Sequence, residues 1–231
     1  MTSFPLSSGG KIPAVGYGCW KVGRDKAAEV VEEAIRAGYR HIDGAEDYAN
    51  EKEVNSYTCP EAASQSSLPQ VGQGIANAIR AGVVTREEVF VTSKLWNTFH
   101  APQHVEAACR RTLQDLGLDY LDLFLIHFPI SLKYVPFETR YPPEWLHDPH
   151  GDVKRMEFEE VPVQDTWRAM ESLVDKGLVK NIGVSNWNCQ GLRDLFSYAR
   201  IKPSVLQVSC PTSRFSLSNC VLTRTLKVAK V

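Results

Sequence analysis

The amino-acid sequence predicts an α/β fold built around a parallel sheet. Short apolar segments with strand character alternate along the chain with segments of helical periodicity. Six strands, each separated from the next by a helix, favour parallel pairing with right-handed crossovers. A doubly wound sheet and a (β/α)8 barrel both fit this alternation. A dinucleotide fingerprint would favour the doubly wound sheet, but after Gly16 and Gly18 the place of the third glycine is taken by Lys21.

The predicted elements follow in order along the chain. The first strand is AVGYGCW, and the helix after it is KAAEVVEEAIRAG, with Asp25 as its N-cap and Gly38 as its stop. The second and third strands are YRHIDGA and EVFVTSK, and Pro102 opens the helix that runs through QHVEAACRRTLQDLG. The last strands are YLDLFLIH, NIGVS and SVLQV, and the last helices are VQDTWRAMESLVDKG and NCQGLRDLFSYAR. A long loop rich in proline and aromatic residues precedes these helices.

Composition excludes several classes of function. The 231-residue chain has a formal net charge of −1, which gives no electrostatic reason for binding nucleic acid or an acidic membrane. No apolar run is long enough to cross a bilayer, and the N-terminus lacks the pattern of a secretory signal. The six cysteines form neither a CxxC pair nor a metal-ligand spacing. We therefore expect a cytoplasmic protein with reduced thiols and no metal site.

Polar residues that can carry chemistry stand where the predicted strands end. Asp43 ends the second strand, Lys94 the third and His127 the fourth, while Tyr48 lies in the loop after the second. In a barrel such positions converge on the C-terminal face, where active sites are built. A purely structural ion pair between Asp43 and Lys94 is an alternative, since buried charges require partners. That alternative does not account for all four residues at consecutive strand ends.

A reaction type follows from these residue types. A tyrosine hydroxyl has a pKa of about 10, and we expect the ammonium of Lys94 to lower the pKa of Tyr48. Asp43 would keep Lys94 protonated, and Tyr48 could then act as general acid toward a carbonyl oxygen that His127 orients. These groups supply a proton but no electron pair. A hydride donor is therefore required, and a nicotinamide is the usual one.

Several segments resemble those of a known family. The catalytic segments of the aldo-keto reductases are similar to DGAEDY, VTSKLWNTFH and LIHFP, and fungal D-xylose reductases are similar to HFPISLKYVPFETRYPPEW and AMESLVDKGLVKNIGVSNW. The resemblance covers about 4–208, apart from one interruption. It implies a (β/α)8 barrel, with about six βα units present, that reduces an aldose to its alditol with NADPH or NADH. It assigns the catalytic roles to Asp43, Tyr48, Lys94 and His127.

The resemblance also implies binding residues. Ser185 and Asn186 would hold the nicotinamide carboxamide, and Gln207 would contact it. Positions that line the sugar pocket, together with His127, would be Trp20, Asp47, Trp96 and Phe128. Trp145 and Trp167 are assigned to packing. The partner is then a small aldehyde or aldose, and a full-length form could be a homodimer, as some relatives are.

Two segments depart from the family pattern. Residues 54–70, 17 in number, interrupt a helix that resumes at Val71, and they have the character of a retained short intron or of a surface loop. Residues 209–231 resemble nothing in the family. The sequence thus predicts a partial barrel over 1–208 followed by a disordered or irregular tail. Without a seventh and an eighth βα unit, the sheet would have two unpaired edges and no phosphate-binding segment for the cofactor.

Two alternative functions stay open. The chain could be a catalytically inactive product with no enzymatic role, because barrel closure and cofactor anchoring are both incomplete. It could also be a class I aldolase-type barrel in which Lys94 forms a Schiff base. The grouping of tyrosine, lysine and aspartate disfavours the aldolase, and borohydride trapping with substrate would distinguish the two chemistries.

Overall fold

The protein is described by a computed structural model that covers residues 2–48, 68–151, 154–208, 220–221 and 223–225. Its main sheet contains six parallel strands in chain order, β3 to β8, with one helix between each consecutive pair. This arrangement is an incomplete (β/α)8 barrel, as the sequence predicted. The strands are β1 Ser3–Pro5, β2 Lys11–Pro13, β3 Gly16–Gly18, β4 His41–Asp43, β5 Phe90–Leu95, β6 Leu123–Ile126, β7 Ile182–Ser185, β8 Val205–Gln207, β9 Cys220–Val221 and β10 Thr223–Thr225.

The helices lie where helical periodicity predicted them. They are α1 Ala27–Arg36, α2 Leu68–Arg80, α3 Pro102–Leu116, α4 Val163–Asp175 and α5 Cys189–Tyr198. Pro102 begins α3 as expected, but the predicted cap of α1 is wrong. Lys26 rather than Asp25 occupies the N-cap position, and no side chain caps that helix. Within the described part of the chain, no helix is both long and apolar enough to cross a membrane.

Side chains of the central strands alternate between two cores. In β6, Phe124 and Ile126 pack with the helices, whereas Leu123 and Leu125 belong to a separate cluster inside the barrel. All four are buried, because a strand covered on both faces carries apolar residues at every position. This continuous apolar run is the reason that a polar group at the end of such a strand is conspicuous.

An N-terminal hairpin, which the sequence analysis did not predict, adds to the core inside the barrel. Strands β1 and β2 pair antiparallel, with Phe4 opposite Ile12. Leu6 and Ile12 pack with Leu125 and Val205 of the main sheet. Each strand of the hairpin is three residues long, too short to show a clear alternation of apolar and polar residues. The hairpin adds apolar cover to the core without contributing to the parallel sheet.

The interrupted helix resumes earlier than predicted. Helix α2 begins at Leu68 rather than at Val71, so the last three residues of the predicted insert belong to its first turn. A proline at the second helical position, Pro69, is compatible with this start because the first backbone N–H groups of a helix have no internal partner. Residues 54–67 of the predicted insert lie outside the described residues.

The two edges of the parallel sheet each carry a short additional strand. Strand β9 pairs antiparallel with β3, with Cys220 opposite Tyr17, and β10 pairs antiparallel with β8, with Arg224 opposite Leu206. The tail therefore differs at these five residues from the irregular segment that the sequence predicted. Unpaired backbone groups at a sheet edge readily accept another strand. Because a single residue separates β9 from β10, one segment reaches both edges and brings the sheet round toward closure.

Gly74 marks the closest approach of α1 and α2 and provides a test of this packing. A Cβ atom at Gly74 would lie 2.5 Å from the carbonyl oxygen of Ala28 and 2.8 Å from Cβ of Val31. Alanine is favoured over glycine within a helix by about 1 kcal/mol. We nevertheless expect Gly74→Ala to lower the free energy of unfolding by about 1–3 kcal/mol, because the contact is with backbone that cannot yield easily.

Urea unfolding measured by circular dichroism would check this prediction. The control is Gln73→Ala, the neighbouring exposed position of the same helix, which should change the free energy of unfolding by less than about 0.5 kcal/mol. Equal stabilisation by both substitutions would show that α1 and α2 are not in close contact.

Candidate active site

A buried ion pair lies at the centre of the C-terminal end of the sheet. The Lys94 ammonium is 2.5 Å from Asp43 Oδ1, and both side chains are almost fully buried. Lys94 also donates to the backbone oxygen of Gly44 at 3.0 Å, and Gln207 donates to Asp43 Oδ2 at 2.8 Å. Burial, the largest single influence, lowers the pKa of Lys94, but the attraction of Asp43 and of Tyr48 together raises it by more, so the net direction is upward. Lys94 is therefore held as an ammonium.

Tyr48 lies directly over this pair. Its ring centroid is 4.9 Å from Lys94 Nζ. Burial raises the pKa of Tyr48, whereas the positive charge of Lys94 lowers it. The net direction is upward, so the expected overall lowering of the pKa is wrong in this structure. Desolvation of a buried phenolate outweighs the attraction of one cation that is already shared with Asp43.

His127 completes the group of four that the sequence placed at strand ends. Its ring is 5.8 Å from that of Tyr48, centroid to centroid. Burial lowers the pKa of His127 well below its usual value, and the positive charge of Lys94 lowers it further. The imidazole is therefore neutral. Its Nδ1 has no hydrogen-bond partner among the described residues. A neutral imidazole carries one N–H that can donate to a carbonyl oxygen.

Aromatic rings surround His127. Trp96, which is completely buried, and Phe128 have ring centroids 5.3 Å and 4.7 Å from that of His127. Trp145 lies 4.8 Å from Trp96 and 5.0 Å from Phe128. Trp145, in the long loop after β6, packs against the hydrophobic core, as the sequence analysis assigned it, and it does so beside these rings. Trp167, by contrast, is completely buried and donates to the backbone oxygen of Ile201, as a packing residue would.

The other two expected pocket residues are less closely joined to this cluster. Burial raises the pKa of Asp47 to about 8, with a further contribution from the negative charge of Glu144. Trp20 follows β3 and is 55% exposed, with Lys21 Nζ 4.5 Å from its ring centroid. No ring contact joins Trp20 to the aromatic cluster within the part of the chain that the structure describes.

The three residues expected at a nicotinamide form one connected group. Asn186 has a φ of 62°, and its amide nitrogen donates to the backbone oxygen of His127 at 3.0 Å and to Ser185 Oγ at 3.1 Å. Its backbone N–H donates to the backbone oxygen of Gln207 at 2.9 Å. Gln207 in turn contacts Asp43. Hydroxyl and amide groups are thus fixed beside the ion pair, and such donors and acceptors suit a carboxamide.

Glu46 was missed by the sequence analysis. It stands between Asp43 and Tyr48 in the sequence and is completely buried. Its Oε1 accepts a hydrogen bond from the backbone N–H of Trp96 at 2.9 Å. Its Oε2 lies 3.4 Å from the hydroxyl of Tyr141 in the long loop. One carboxyl group therefore fastens the loops after β4, β5 and β6 to each other. Its place between two candidate catalytic residues in DGAEDY was the available signal.

Comparison with known proteins identifies the family. The sequence profile of the aldo/keto reductase family matches residues 14–219, most of the chain. The chain belongs to the aldo/keto reductase family. The match reaches past residue 208, where the resemblance predicted from the sequence ends.

Fungal reductases are among the similar sequences of known function. The chain is 50% identical to the NADPH-dependent D-xylose reductase of Meyerozyma guilliermondii over 206 residues, which is 89% of this chain and 59% of that protein. It is 50% identical to the NAD(P)H-dependent D-xylose reductase I,II of Candida tropicalis over 203 residues, 88% of this chain and 56% of that protein. The chain thus spans between half and two thirds of the length of these relatives.

Solved structures support the same fold. The aldose reductase from Schistosoma japonicum aligns with a TM-score of 0.74 at 37% identity, over 91% of this chain and 61% of that one. An aldo-keto reductase of Bombyx mori in complex with NADP aligns with a TM-score of 0.72 at 36% identity, over 90% and 58% of the two chains.

The aldolase alternative is disfavoured by the electrostatics of Lys94. Schiff-base formation requires a neutral amine, and enzymes obtain one by lowering the pKa of the lysine. Here the pKa of Lys94 is raised, because Asp43 and Tyr48 together more than offset the effect of burial. The family match points the same way. The site therefore favours proton donation over covalent attack by lysine.

The pH dependence of stability tests the burial of Glu46. Burial raises the pKa of Glu46 from 4.5 to about 8, although the hydrogen bond from Trp96 opposes this. Between these pH values the folded state retains a proton that the unfolded state has lost. The contribution of Glu46 to stability therefore falls as pH rises. We expect Glu46→Gln to gain stability relative to the unsubstituted chain across this window, by an amount on the order of a few kcal/mol.

Urea unfolding at several pH values measures this difference. The matched control is Glu138→Gln at an exposed position of the long loop, which should change the free energy of unfolding by less than about 0.5 kcal/mol. A difference for Glu46→Gln that stays constant or shrinks as pH rises would contradict a buried, protonated carboxyl group.

Proposed function

We propose that this chain carries the catalytic residues of a reductase that transfers a hydride from NADPH, or from NADH, to an aldose such as D-xylose. The observation that carries the proposal is the buried pair of Asp43 and Lys94, with Tyr48 directly over Lys94 and His127 beside it. The D-xylose reductase names of the similar fungal proteins support the substrate class.

Each of the four residues has a role that its environment supports. Tyr48 is protonated, since its pKa is raised, and its hydroxyl donates the proton to the carbonyl oxygen of the substrate. Lys94 stabilises the negative charge that remains on the phenol oxygen, and Asp43 holds Lys94 charged and in place. The neutral imidazole of His127 donates a hydrogen bond that orients the carbonyl.

A nicotinamide cofactor fits the residues beside this group. When bound, the reduced nicotinamide supplies the hydride that the four residues lack. Ser185, Asn186 and Gln207 would hold its carboxamide, because their hydroxyl and amide groups are fixed next to Asp43. One similar structure is a complex with NADP, and similar proteins are named for NADPH or for NADH.

The substrate would lie against the aromatic residues around His127. Phe128 and Trp20 offer apolar surface to the carbon skeleton of an aldose, as ligand pockets commonly do, and the buried ring of Trp96 supports that of Phe128 from behind. Asp47 supplies a carboxyl group for a sugar hydroxyl. With a pKa raised to about 8, this group is protonated near neutral pH and can donate as well as accept.

The activity of this 231-residue chain by itself is a separate proposal. We infer that it is low, because the chain spans 56–59% of the relatives, and the phosphate site of such barrels usually follows the seventh and eighth strands. A catalytically inactive product is the alternative function.

A cytoplasmic location and a homodimeric full-length form stay predictions. The buried thiols of Cys19 and Cys109 are compatible with the first.

Activity is tested in two proteins, the purified chain and a fusion of its residues 1–208 to the missing C-terminal part of the Candida tropicalis reductase. The oxidation of NADPH is measured by the loss of its absorbance. We expect D-xylose to cause this oxidation in the fusion, and little or no oxidation in the chain alone. Tyr48→Phe in the fusion should lower kcat by about 10²–10⁴-fold, because the general acid is lost.

The matched control is Tyr198→Phe on α5, outside the site, which should retain activity. A fusion that binds NADPH but reduces neither D-xylose nor other aldehydes would overturn the proposed reaction. Full activity after Tyr48→Phe would overturn the role of Tyr48 alone, and high activity of the chain by itself would overturn the inference that it is weak.

A further inference from the structure

The guanidinium of Arg140, in the long loop, is directed at backbone oxygens. Its Nε donates to the backbone oxygen of Pro143 at 2.9 Å, and its Nη2 donates to that of Leu146 at 2.5 Å. Its Nη1 donates to the backbone oxygen of His147 at 3.4 Å. A guanidinium is planar and carries five N–H donors, so a single side chain gathers three carbonyl groups here. We call residues 140–147 the Arg140 turn.

The Arg140 turn contains a residue in an unusual backbone conformation. Glu144 has a φ of 60°, in the left-handed region that residues other than glycine seldom adopt. Such a conformation persists only where the surrounding contacts hold it. The hydrogen bonds of Arg140 to Pro143 and Leu146 lie on either side of Glu144 in the sequence and supply such contacts. They therefore fix the direction of the Glu144 backbone oxygen.

This backbone oxygen holds the ring of Trp96. The indole Nε1 of Trp96 donates to the backbone oxygen of Glu144 at 3.1 Å. The backbone N–H of Trp96 donates to Glu46 at 2.9 Å. Trp96 is completely buried and is therefore held both at its backbone and at its ring. An indole has one N–H group, so the bond to Glu144 sets the orientation of the ring.

The orientation of Trp96 bears on that of His127. The two ring centroids are 5.3 Å apart and the ring planes are inclined at 73°. Phe128 stacks on the same imidazole with a centroid distance of 4.7 Å. Nδ1 of His127 has no hydrogen-bond partner among the described residues. The imidazole is therefore oriented by packing against its aromatic neighbours rather than by a hydrogen bond at this atom.

We propose that Arg140 is a positioning residue for the reaction proposed above. It fixes the Arg140 turn, and through the Glu144 backbone oxygen and the Trp96 indole it fixes the imidazole of His127. The consequence for catalysis rests on the proposed function, in which His127 orients the substrate carbonyl. The role requires a guanidinium, because a lysine would keep the charge but could not present a planar fork to three oxygens.

Hydrogen exchange of the indole N–H groups tests this proposal in the full 231-residue chain, without nucleotide or substrate. The signals are assigned from Trp96→Phe and Trp167→Phe. Trp167 is the internal reference, because it is also completely buried and donates to a backbone oxygen, that of Ile201 at 3.0 Å. We expect Arg140→Lys to speed exchange at the Trp96 indole about tenfold or more, and at the Trp167 indole less than about twofold.

The matched control is Arg155→Lys, since this arginine of the same loop has a side chain that is 68% exposed. It should change either rate by less than about twofold. Equal acceleration at both indoles by Arg140→Lys would indicate a general loss of stability and overturn the proposal. An unchanged rate at Trp96 would overturn it as well. Rapid exchange of the Trp96 indole in the unsubstituted chain would do so even if Arg140→Lys does not fold.

The effect on the reaction is measured in the fusion described above. Arg140→Lys should lower kcat/KM for D-xylose about tenfold, because the carbonyl is less well oriented. The Kd of NADPH should change less than about twofold. Faster exchange at Trp96 with an unchanged kcat/KM would overturn the positioning role. An unsubstituted fusion that reduces no aldehyde would overturn the proposed reaction, and the exchange rates would still decide whether Arg140 positions Trp96.

Discussion

The ion pair between Asp43 and Lys94 is the interaction on which the rest of the site depends. Both charges are buried at the end of apolar strands, where either one alone would be strongly destabilising. Hydrogen bonds to Gly44 and from Gln207 satisfy the remaining polar atoms. The pair therefore connects β4, β5 and β8 at a single point. It also holds the Lys94 ammonium against the ring of Tyr48. The same ion pair therefore stabilises the fold and places a positive charge beside the candidate general acid.

The loops around this pair are fixed by polar groups rather than by apolar packing alone. Glu46 joins the loop that carries Tyr48 to the backbone of Trp96 and to Tyr141. Asn186 joins the end of β7 to the backbone of His127. Burial dominates the protonation states, keeping the tyrosine and glutamate protonated and the histidine neutral. The site is consequently a preorganised group of hydrogen-bond donors around one cation.

The incompleteness of the barrel affects its edges more than its centre. The six parallel strands hold the candidate catalytic groups without help from further units, because those groups lie at the ends of β4, β5 and β6. Residues 220–221 and 223–225 supply short antiparallel strands to the two edges, since unpaired backbone groups at a sheet edge readily pair with another strand. In (β/α)8 barrels the phosphate-binding site usually follows the seventh and eighth strands. The candidate catalytic residues therefore lie on the earlier strands, and the residues that anchor the cofactor phosphate are expected after the later ones.

The sequence by itself determined the alternation of strands and helices and the positions of Asp43, Lys94 and His127, because apolar runs that end in a polar residue are a local signal. It did not determine the short hairpin β1–β2, which has too few residues for a pattern, or the start of α2. Only the tertiary structure decided the direction of the Tyr48 pKa, since burial and the Lys94 charge act on it in opposite senses. Only the tertiary structure brought Glu46 and Trp145 to the site, because both depend on contacts between segments that are distant in sequence.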